Sequence, residues 1–447
     1  MPYREEACML KICNAPVIIV IILASCLSAL CKKNSHYELS RFIPPSTCGG
    51  CHDEIYNQWL GSMHNLSDKD PLYREVAGHD LIGLVDPDEI REAELCVKCH
   101  TPIGYITGFP TKTSDYLKKL PEIAGKGIQC DYCHSATGAK KIYNAFIEHE
   151  PGHGEESPGI KRGPFKDSKT DYHETAYSKF HVRSEICGVC HDVRHHVFGT
   201  KLETPFEEWE QGPYAQKGVA CQDCHMYQRP GMPATGATER TKNPGYAALG
   251  GPKREHIFTH FFTGANVLIP SRFGNSVQKK MAEERLQNAA TVSIDDRLTD
   301  GMFRVTVKNT GAGHSIPTGL THVRQMWLEV IAYAHNGRML LHSGKLDGNS
   351  YLDPDAVIFT TVFGDGKGGP VKNTAKAREI LYDSRIKPME SAKGIYRLPG
   401  VKNTSVTIEA KLWYRLAPQE MADAVLGKGK LIIPRVLMAS DKKKLQL

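Results

Sequence analysis

The chain has 447 residues, of which 40% are hydrophobic and 24% are charged, and its formal net charge is +6. This is the composition of an ordinary packed protein of about two or three domains, and it excludes a disordered or low-complexity chain. No basic stretch with interleaved aromatic residues occurs, so the sequence does not predict binding to nucleic acid.

Residues 1–31 have the pattern of an export signal, since Arg4 and Lys11 flank the entry to an apolar run over 17–30. The run is shorter than the about 20 residues that a membrane-spanning helix needs. The segment ending at Cys26 resembles a bacterial lipoprotein box, in which this cysteine is lipidated and anchors the protein to a membrane; simple cleavage or a retained anchor is the alternative. We therefore predict an exported protein, either periplasmic or anchored at the outer membrane or cell surface.

Five copies of one pattern, Cys-x-x-Cys-His, follow this segment. Fourteen Cys and 20 His in a chain of this length predict only roughly 0.02 such motifs by chance. The motifs consist of Cys48, Cys51 and His52; Cys96, Cys99 and His100; Cys130, Cys133 and His134; Cys187, Cys190 and His191; and Cys221, Cys224 and His225.

This pattern is the attachment signal for c-type haem, in which two thiols add to the haem vinyl groups and the His becomes the proximal iron ligand. Paired Cys-x-x-Cys also occurs in zinc sites, but a tetrahedral zinc site does not need a His directly after each pair. Every Cys after residue 31 belongs to a motif, so none remains for a disulfide. The sequence thus predicts five covalent haems, whose propionates would offset the positive charge, and export, because c-type haem is attached outside the cytoplasmic membrane.

Residues 36–275 form the predicted pentahaem region. A helix is predicted from Asp53 to Trp59, after the first motif. An internal repeat then relates residues 94–134 to residues 185–225, with two motifs in each unit and a Lys-Gly pair before the second motif. We expect a tight turn at each Lys-Gly and a repeated haem–haem geometry suited to an electron relay.

Distal iron ligands are expected from the other histidines, because two axial His ligands make an iron six-coordinate and favour electron transfer over substrate binding. If 173–181 and 256–260 are helical, the His residues at the ends of each segment share a helix face. The candidates are His64, His173, His181, His195 and His260, with His196 and His256 in reserve.

Residues 285–447 contain no Cys and have the alternation of β-strands over 302–307, 324–334, 338–342, 357–362 and 404–414. We predict a β-sandwich here, and an α+β fold in which a mostly helical, loop-rich haem region precedes it. His314 lies in a glycine-rich loop, and we interpret it as an incidental loop residue; a haem ligand is the alternative.

Several of these segments resemble a known family. Residues 46–52 with Tyr56, Trp59 and Ser62-Met63-His64, and the segment 206–226, are similar to multihaem cytochromes c related to the tetrahaem electron acceptor of hydroxylamine oxidoreductase. The resemblance covers about residues 40–265 and implies bis-His haems in stacked pairs that pass electrons between redox proteins. The fifth motif and the long C-terminal region depart from the tetrahaem protein.

The sequence therefore favours an electron carrier over an enzyme. Its expected partners are other cytochromes, or a quinol-linked or terminal oxidoreductase. One alternative is an oxidoreductase acting on nitrite or hydroxylamine at a haem with an open position, but all five motifs are uniform and no Cys-x-x-Cys-Lys variant marks a catalytic haem. Another is a homo-oligomeric, filament-forming cytochrome.

Overall fold

The computed structural model describes residues 37–237, 240–398 and 405–446. The predicted export signal, with Cys26, lies outside these residues. From Leu39 onward the described residues form one compact unit, which includes both the predicted haem region and the predicted sandwich. Within the described ranges, no helix combines the length and the apolar character required to cross a membrane.

The haem region is built from short helices joined by loops. Several begin at a proline that follows a polar or extended residue, as where the Asp70 carboxylate accepts hydrogen bonds from the backbone N–H groups of Leu72 and Tyr73. The predicted helix after the first motif is confirmed. In chain order the helices are α1 (Pro45–Gly49), α2 (Asp53–Leu60), α3 (Met63–Leu66), α4 (Pro71–His79), α5 (Pro87–Glu94), α6 (Val97–His100), α7 (Pro102–Thr107), α8 (Cys130–His134), α9 (Glu185–Gly188), α10 (Pro205–Glu210), α11 (Pro213–Gln216), α12 (Cys221–His225), α13 (Leu268–Arg272) and α14 (Ser276–Gln287).

Two-stranded sheets occupy the longer connections of the haem region. Three of the four are antiparallel, and β3 with β4 is parallel. The strands are β1 (Ala136–Ala139) with β2 (Ile147–His149), β3 (Ile160–Gly163) with β4 (Glu174–Tyr177), β5 (Val193–Arg194) with β6 (Lys201–Glu203), and β7 (Gly245–Tyr246) with β8 (Lys253–Arg254).

Two helix predictions in this region are wrong. The segment 173–181 contains strand β4 instead, because its backbone pairs with β3. The segment 256–260 is extended, because its backbone bonds outward: the N–H of Ile257 donates to Asn243 O at 2.7 Å and that of Thr259 to Met226 O at 2.7 Å. In both segments, backbone hydrogen bonds to other parts of the fold determine the conformation, although the spacing of the histidines suits a helix.

The C-terminal region contains the remaining strands and a further helix, α15 (Gln419–Leu426). The strands are β9 (Ala290–Ile294), β10 (Met302–Asn309), β11 (Gln325–Ala334), β12 (Met339–Ser343), β13 (Ile358–Phe359), β14 (Thr361–Gly364), β15 (Pro370–Val371), β16 (Glu379–Asp383), β17 (Ser391–Arg397), β18 (Ser405–Arg415) and β19 (Val436–Gln446).

These strands form two facing sheets and a small third one. One sheet has the order β17-β10-β9 and the other β12-β11-β18-β19 with β13 on β11, while β15-β14-β16 stands apart. Buried side chains of the two larger sheets, such as Val305, Leu328 and Ile408, belong to one hydrophobic cluster. Burial of such a shared apolar face is what holds two sheets together. The predicted α+β fold with a C-terminal sandwich is confirmed; strands β9, β15, β16, β17 and β19 were not predicted.

Candidate haem sites

Each motif forms one helical turn that brings its first Cys and its His together. The His N–H donates to the carbonyl of the first Cys at 2.9 Å in the first motif, 3.2 Å in the second and 2.9 Å in the fourth. Residues four apart on a helix lie on the same side, so a thiol and an imidazole reach one flat group from one face. Among the described residues, no three His, Cys, Asp or Glu side chains converge to hold a metal ion by themselves.

The backbone fixes the tautomer of four motif histidines. In each, Nδ1–H donates to a main-chain carbonyl, which leaves the Nε2 lone pair for a metal. The bonds are His52 to Ala247 O at 2.6 Å, His100 to Ser67 O at 2.9 Å, His134 to Arg162 O at 2.6 Å and His225 to Thr263 O at 2.9 Å.

The remaining motif histidine, His191 of the fourth motif, has a charged neighbour instead. Its Nδ1 lies 3.7 Å from the Glu203 carboxylate at the end of β6. Burial acts to raise the pKa of Glu203, but the contact with His191 and nearby positive charges outweigh it and leave the pKa below its ordinary value. The carboxylate is therefore ionised at neutral pH.

Three motif histidines face a second imidazole. The ring centroids of His64 and His191, of His134 and His260, and of His225 and His314 are each 6.4 Å apart, with 28°, 27° and 18° between the ring planes. An imidazole nitrogen binds a transition-metal ion at about 2 Å, so two imidazoles on opposite sides of one iron have their centres about 6 Å apart. The three pairs fit a bis-His haem iron.

The nitrogens of these partners are also correctly disposed. Nδ1–H of His260 donates to Phe258 O at 3.1 Å and that of His314 to Ser315 O at 3.0 Å, so Nε2 of each remains for the metal. Burial lowers the pKa of His64 and of His260 to about 3 and holds that of His314 below its usual value. All three imidazoles are therefore neutral, which is the form that ligates a metal.

The structure places His314 opposite a motif histidine, whereas we interpreted it from the sequence as an incidental loop residue. The Asn309 side-chain amide donates to His314 O at 2.9 Å, and the N–H of Ser315 donates to the Glu208 carboxylate on α10 at 2.9 Å. Glu208 is in turn held by Arg385 at 2.6 Å. The loop is thus fastened on both sides of His314 and directs it at the fifth motif.

His64 is held by the repeat unit that precedes the third motif. The N–H of Ile128 donates to His64 O at 2.9 Å, and Gly127, at φ 61°, lies against the same carbonyl. In the second unit Gly218 has φ 69°, so both predicted Lys-Gly turns have the conformation that favours glycine. Trp59 Nε1 donates to Ile128 O at 2.8 Å and Trp209 Nε1 to Val219 O at 2.7 Å, so the carbonyl that follows each Lys-Gly turn accepts a hydrogen bond from an indole.

The family comparison identifies the first part of this region. The family model "Cytochrome c554 and c-prime" matches residues 47–135, which contain the first three motifs. These findings support a multihaem cytochrome c.

Solved structures extend the likeness to the whole fold. A penta-heme cytochrome c552 from Thermochromatium tepidum aligns with 21% identity over 91% of this chain and 100% of that chain, with a TM-score of 0.60. At this identity the likeness concerns the fold. A beta-galactosidase candidate from Bacteroides fragilis aligns with 11% identity over 36% of this chain and 16% of that chain, and its TM-score of 0.15 carries no argument. No curated protein matches the chain.

Two further candidates lie near motif histidines of the cytochrome. Burial lowers the pKa of His173, and the nearby His52 lowers it further. Nδ1–H of His173 donates to Glu174 O at 2.9 Å. The His181 ring lies 5.6 Å from that of His134, but its Nε2–H donates to Cys133 O at 2.9 Å and its Nδ1 is buried without a hydrogen-bond partner. His260 therefore suits the His134 iron better than His181 does.

The structure does not bring the other predicted ligands to a motif. His195 is buried, donates from Nε2 to Ala375 O at 2.9 Å and accepts at Nδ1 from the N–H groups of Val197 and Phe198, so both nitrogens are used within the fold. His196 donates to the Glu92 carboxylate at 3.0 Å. His256 accepts from the N–H of Asn243 at 3.0 Å and stacks on Tyr227.

The second motif is different from the third, fourth and fifth. Among the described residues, no imidazole ring pairs with that of His100; instead the ring of Tyr73 lies flat on it, with centroids 3.6 Å apart and 7° between the planes. A ring stacked on the face of an imidazole lies on the same side of a haem as that imidazole. Tyr73 therefore packs the proximal side, and its hydroxyl contacts that of Tyr116 at 3.1 Å.

Thiols of different motifs also meet inside the cytochrome. Cys48 contacts Cys130, Cys99 contacts Cys190 and Cys187 contacts Cys221, each within hydrogen-bonding reach. Each thiol is attached to the edge of its own porphyrin. The contacts therefore place motif one next to motif three, motif two next to motif four, and motif four next to motif five.

Proposed function

We propose that this multihaem cytochrome c carries electrons between redox proteins through five covalently attached haems. Covalent haem supplies a one-electron iron couple, and two neutral imidazoles keep an iron six-coordinate in both oxidation states. The observation that carries the proposal is the set of three imidazole pairs with centroids 6.4 Å apart. His173 near His52 is the fourth proposed pair.

The contacts between thiols support a continuous relay. Motif one adjoins motif three, and motif four adjoins both motif two and motif five. Tyr132, between the Cys residues of the third motif, lies close to Cys99 and Cys190, which joins the two groups. Cys51 of the first motif is exposed, whereas the other motif thiols are partly buried. The first site is thus a point at which a partner protein can exchange electrons.

The wider context remains part of the proposal. Export to the periplasm or the cell surface, attachment through Cys26, and kinship with the electron acceptor of hydroxylamine oxidoreductase rest on the sequence pattern. Redox partners would be other cytochromes or a quinol-linked or terminal oxidoreductase. Replacing Cys26 by Ser should release the protein from membranes; a variant that stays equally membrane-bound would exclude the lipid anchor.

Low-temperature electron paramagnetic resonance of the oxidised protein tests the relay. Bis-His sites give low-spin signals, so we expect low-spin iron at motifs one, three, four and five. Haem content is measured alongside, by the pyridine haemochrome assay, and should be five per chain. A predominantly high-spin spectrum would contradict the proposal.

A second candidate function, reduction or oxidation of a small nitrogen compound such as nitrite or hydroxylamine, is favoured by one observation. His100 has no facing imidazole among the described residues, so an iron held there has a position for an external ligand. Adding nitrite or hydroxylamine should then change a high-spin signal that amounts to one haem per chain, and turnover with a reduced dye should follow. A fully low-spin spectrum that neither compound changes would remove this candidate.

A further inference from the structure

Glu203 distinguishes the fourth motif from the other four. His52, His100, His134 and His225 each donate Nδ1–H to a neutral main-chain carbonyl. Only His191 has a carboxylate, 3.7 Å from its Nδ1, as the neighbour of this nitrogen. The four other motifs thus provide an internal reference for what a carbonyl acceptor does.

The carboxylate is placed between two sites. Glu203 ends β6, its side chain is 17% exposed, and its charge also acts on His100 of the second motif. Motifs two and four are neighbours through Cys99 and Cys190. Arg324, at the start of the sandwich, lies near enough to Glu203 to act on it as a countercharge.

At 3.7 Å from Nδ1 the Glu203 carboxylate acts on the imidazole as a negative charge, which increases the electron density of the ring, whereas the carbonyl behind each other motif histidine is neutral. A more basic axial ligand stabilises ferric over ferrous iron, so hydrogen bonding behind the ligand is one of the means by which a protein sets a haem potential. We propose that Glu203 is a positioning residue that, through His191, sets the reduction potential of the fourth site below the value that a carbonyl acceptor would give.

This inference rests on the proposed function, since it requires His191 to be an iron ligand. The fourth site adjoins both motif two and motif five, so a lower potential there makes its reduction by either neighbour less favourable than it would be with a carbonyl acceptor. Glu203 would thus affect how readily the fourth site exchanges electrons with the second and the fifth.

The test is a potentiometric titration of the full-length haem-loaded protein, followed by visible absorption and by the low-spin resonance signals. In Glu203→Gln one titrating component should move to higher potential, while the other components and the spin states stay unchanged. Glu207→Gln is the matched control, because this substitution also removes a carboxylate. Glu207 pairs with Lys201 at 2.7 Å and Arg194 at 3.1 Å and contacts no motif histidine.

The inference is overturned if no component moves in Glu203→Gln, or if Glu207→Gln produces the same shift, which would indicate a general charge effect. Conversion of one haem to high spin in Glu203→Gln would also overturn it, by showing that Glu203 only holds the ligand in place. If Glu203→Gln does not accumulate, Glu203→Asp is used instead. The shorter side chain moves the carboxylate away from His191, so the reduction potential of the same component should rise, and an unchanged potential refutes the inference. Failure of the proposed function is distinguishable, because low-spin signals would then be missing from the unsubstituted protein.

Discussion

The imidazole of His314 lies opposite that of His225, with ring centroids 6.4 Å apart and 18° between the planes. The two residues come from different parts of the fold: His225 ends a helix of the haem region, and His314 lies in the loop after β10 of the sandwich. Burial holds the pKa of both imidazoles below the usual value, so both are neutral. The sandwich therefore supplies the imidazole that faces the fifth motif.

Replacing His314 by Ala should convert the iron of the fifth motif from low spin to high spin and leave the other signals in place. Electron paramagnetic resonance of the oxidised variant measures this change. His153→Ala is the control, because the His153 side chain is exposed in a loop of the haem region and should leave the spectrum unaltered. An unaltered spectrum in His314→Ala would mean that the fifth iron takes its ligand elsewhere.

The third motif allows a choice between two neighbours, His260 and His181. His260 presents an unused Nε2 to His134 at a centroid distance of 6.4 Å, whereas Nε2 of His181 is bonded to Cys133 O. We expect His260→Ala to produce one high-spin haem and His181→Ala to keep all irons in their original spin states. Electron paramagnetic resonance spectra of the two oxidised variants decide between these neighbours. A high-spin haem in His181→Ala but not in His260→Ala would make His181 the ligand.

The proximal half of each site could be predicted from the sequence, because the two thiols and the first imidazole lie within five consecutive residues. For the distal half the sequence indicated candidates, among them His64 and His260, but not the motif histidine that each faces. His64 reaches His191 and His314 reaches His225 across the fold, and no local pattern encodes such pairings. The helical spacing assigned to His173 and His181 was wrong because β4 pairs with β3. The alternating strands of the sandwich were predictable because their period of two reflects burial on one face.

Tyr73 should contribute to stability mainly by stacking on His100. Tyr73→Phe keeps the ring and loses the contact with the Tyr116 hydroxyl, at a cost of about 1 kcal/mol. Tyr73→Ala also removes the ring, and since the side chain is not fully buried we expect about 3 kcal/mol, the low end for aromatic truncation. Denaturant unfolding followed by far-ultraviolet circular dichroism measures both. Tyr382→Ala, at a residue that is 58% exposed, is the control and should cost less than about 1 kcal/mol. Equal effects of Tyr73→Ala and Tyr382→Ala would show that stacking on His100 does not stabilise the fold.

The glycines of the two Lys-Gly turns provide a matched pair that tests how His64 is positioned. Both have positive φ, 61° at Gly127 and 69° at Gly218, so an Ala at either position should cost about 1–3 kcal/mol of backbone strain. They differ in their surroundings. A Cβ on Gly127 would lie 2.1 Å from the His64 carbonyl oxygen, whereas nothing lies within 4 Å of a Cβ on Gly218.

Gly127→Ala should therefore push the His64 segment away from His191 and convert the fourth haem to high spin, in addition to lowering the free energy of unfolding. Gly218→Ala should lower that free energy by about 1–3 kcal/mol and leave every spin state unchanged. Denaturant unfolding and electron paramagnetic resonance of the two variants separate strain from displacement. If Gly127→Ala keeps the low-spin signal of the fourth haem, the close approach of Gly127 does not position His64, and the hydrogen bond from Ile128 suffices to hold it.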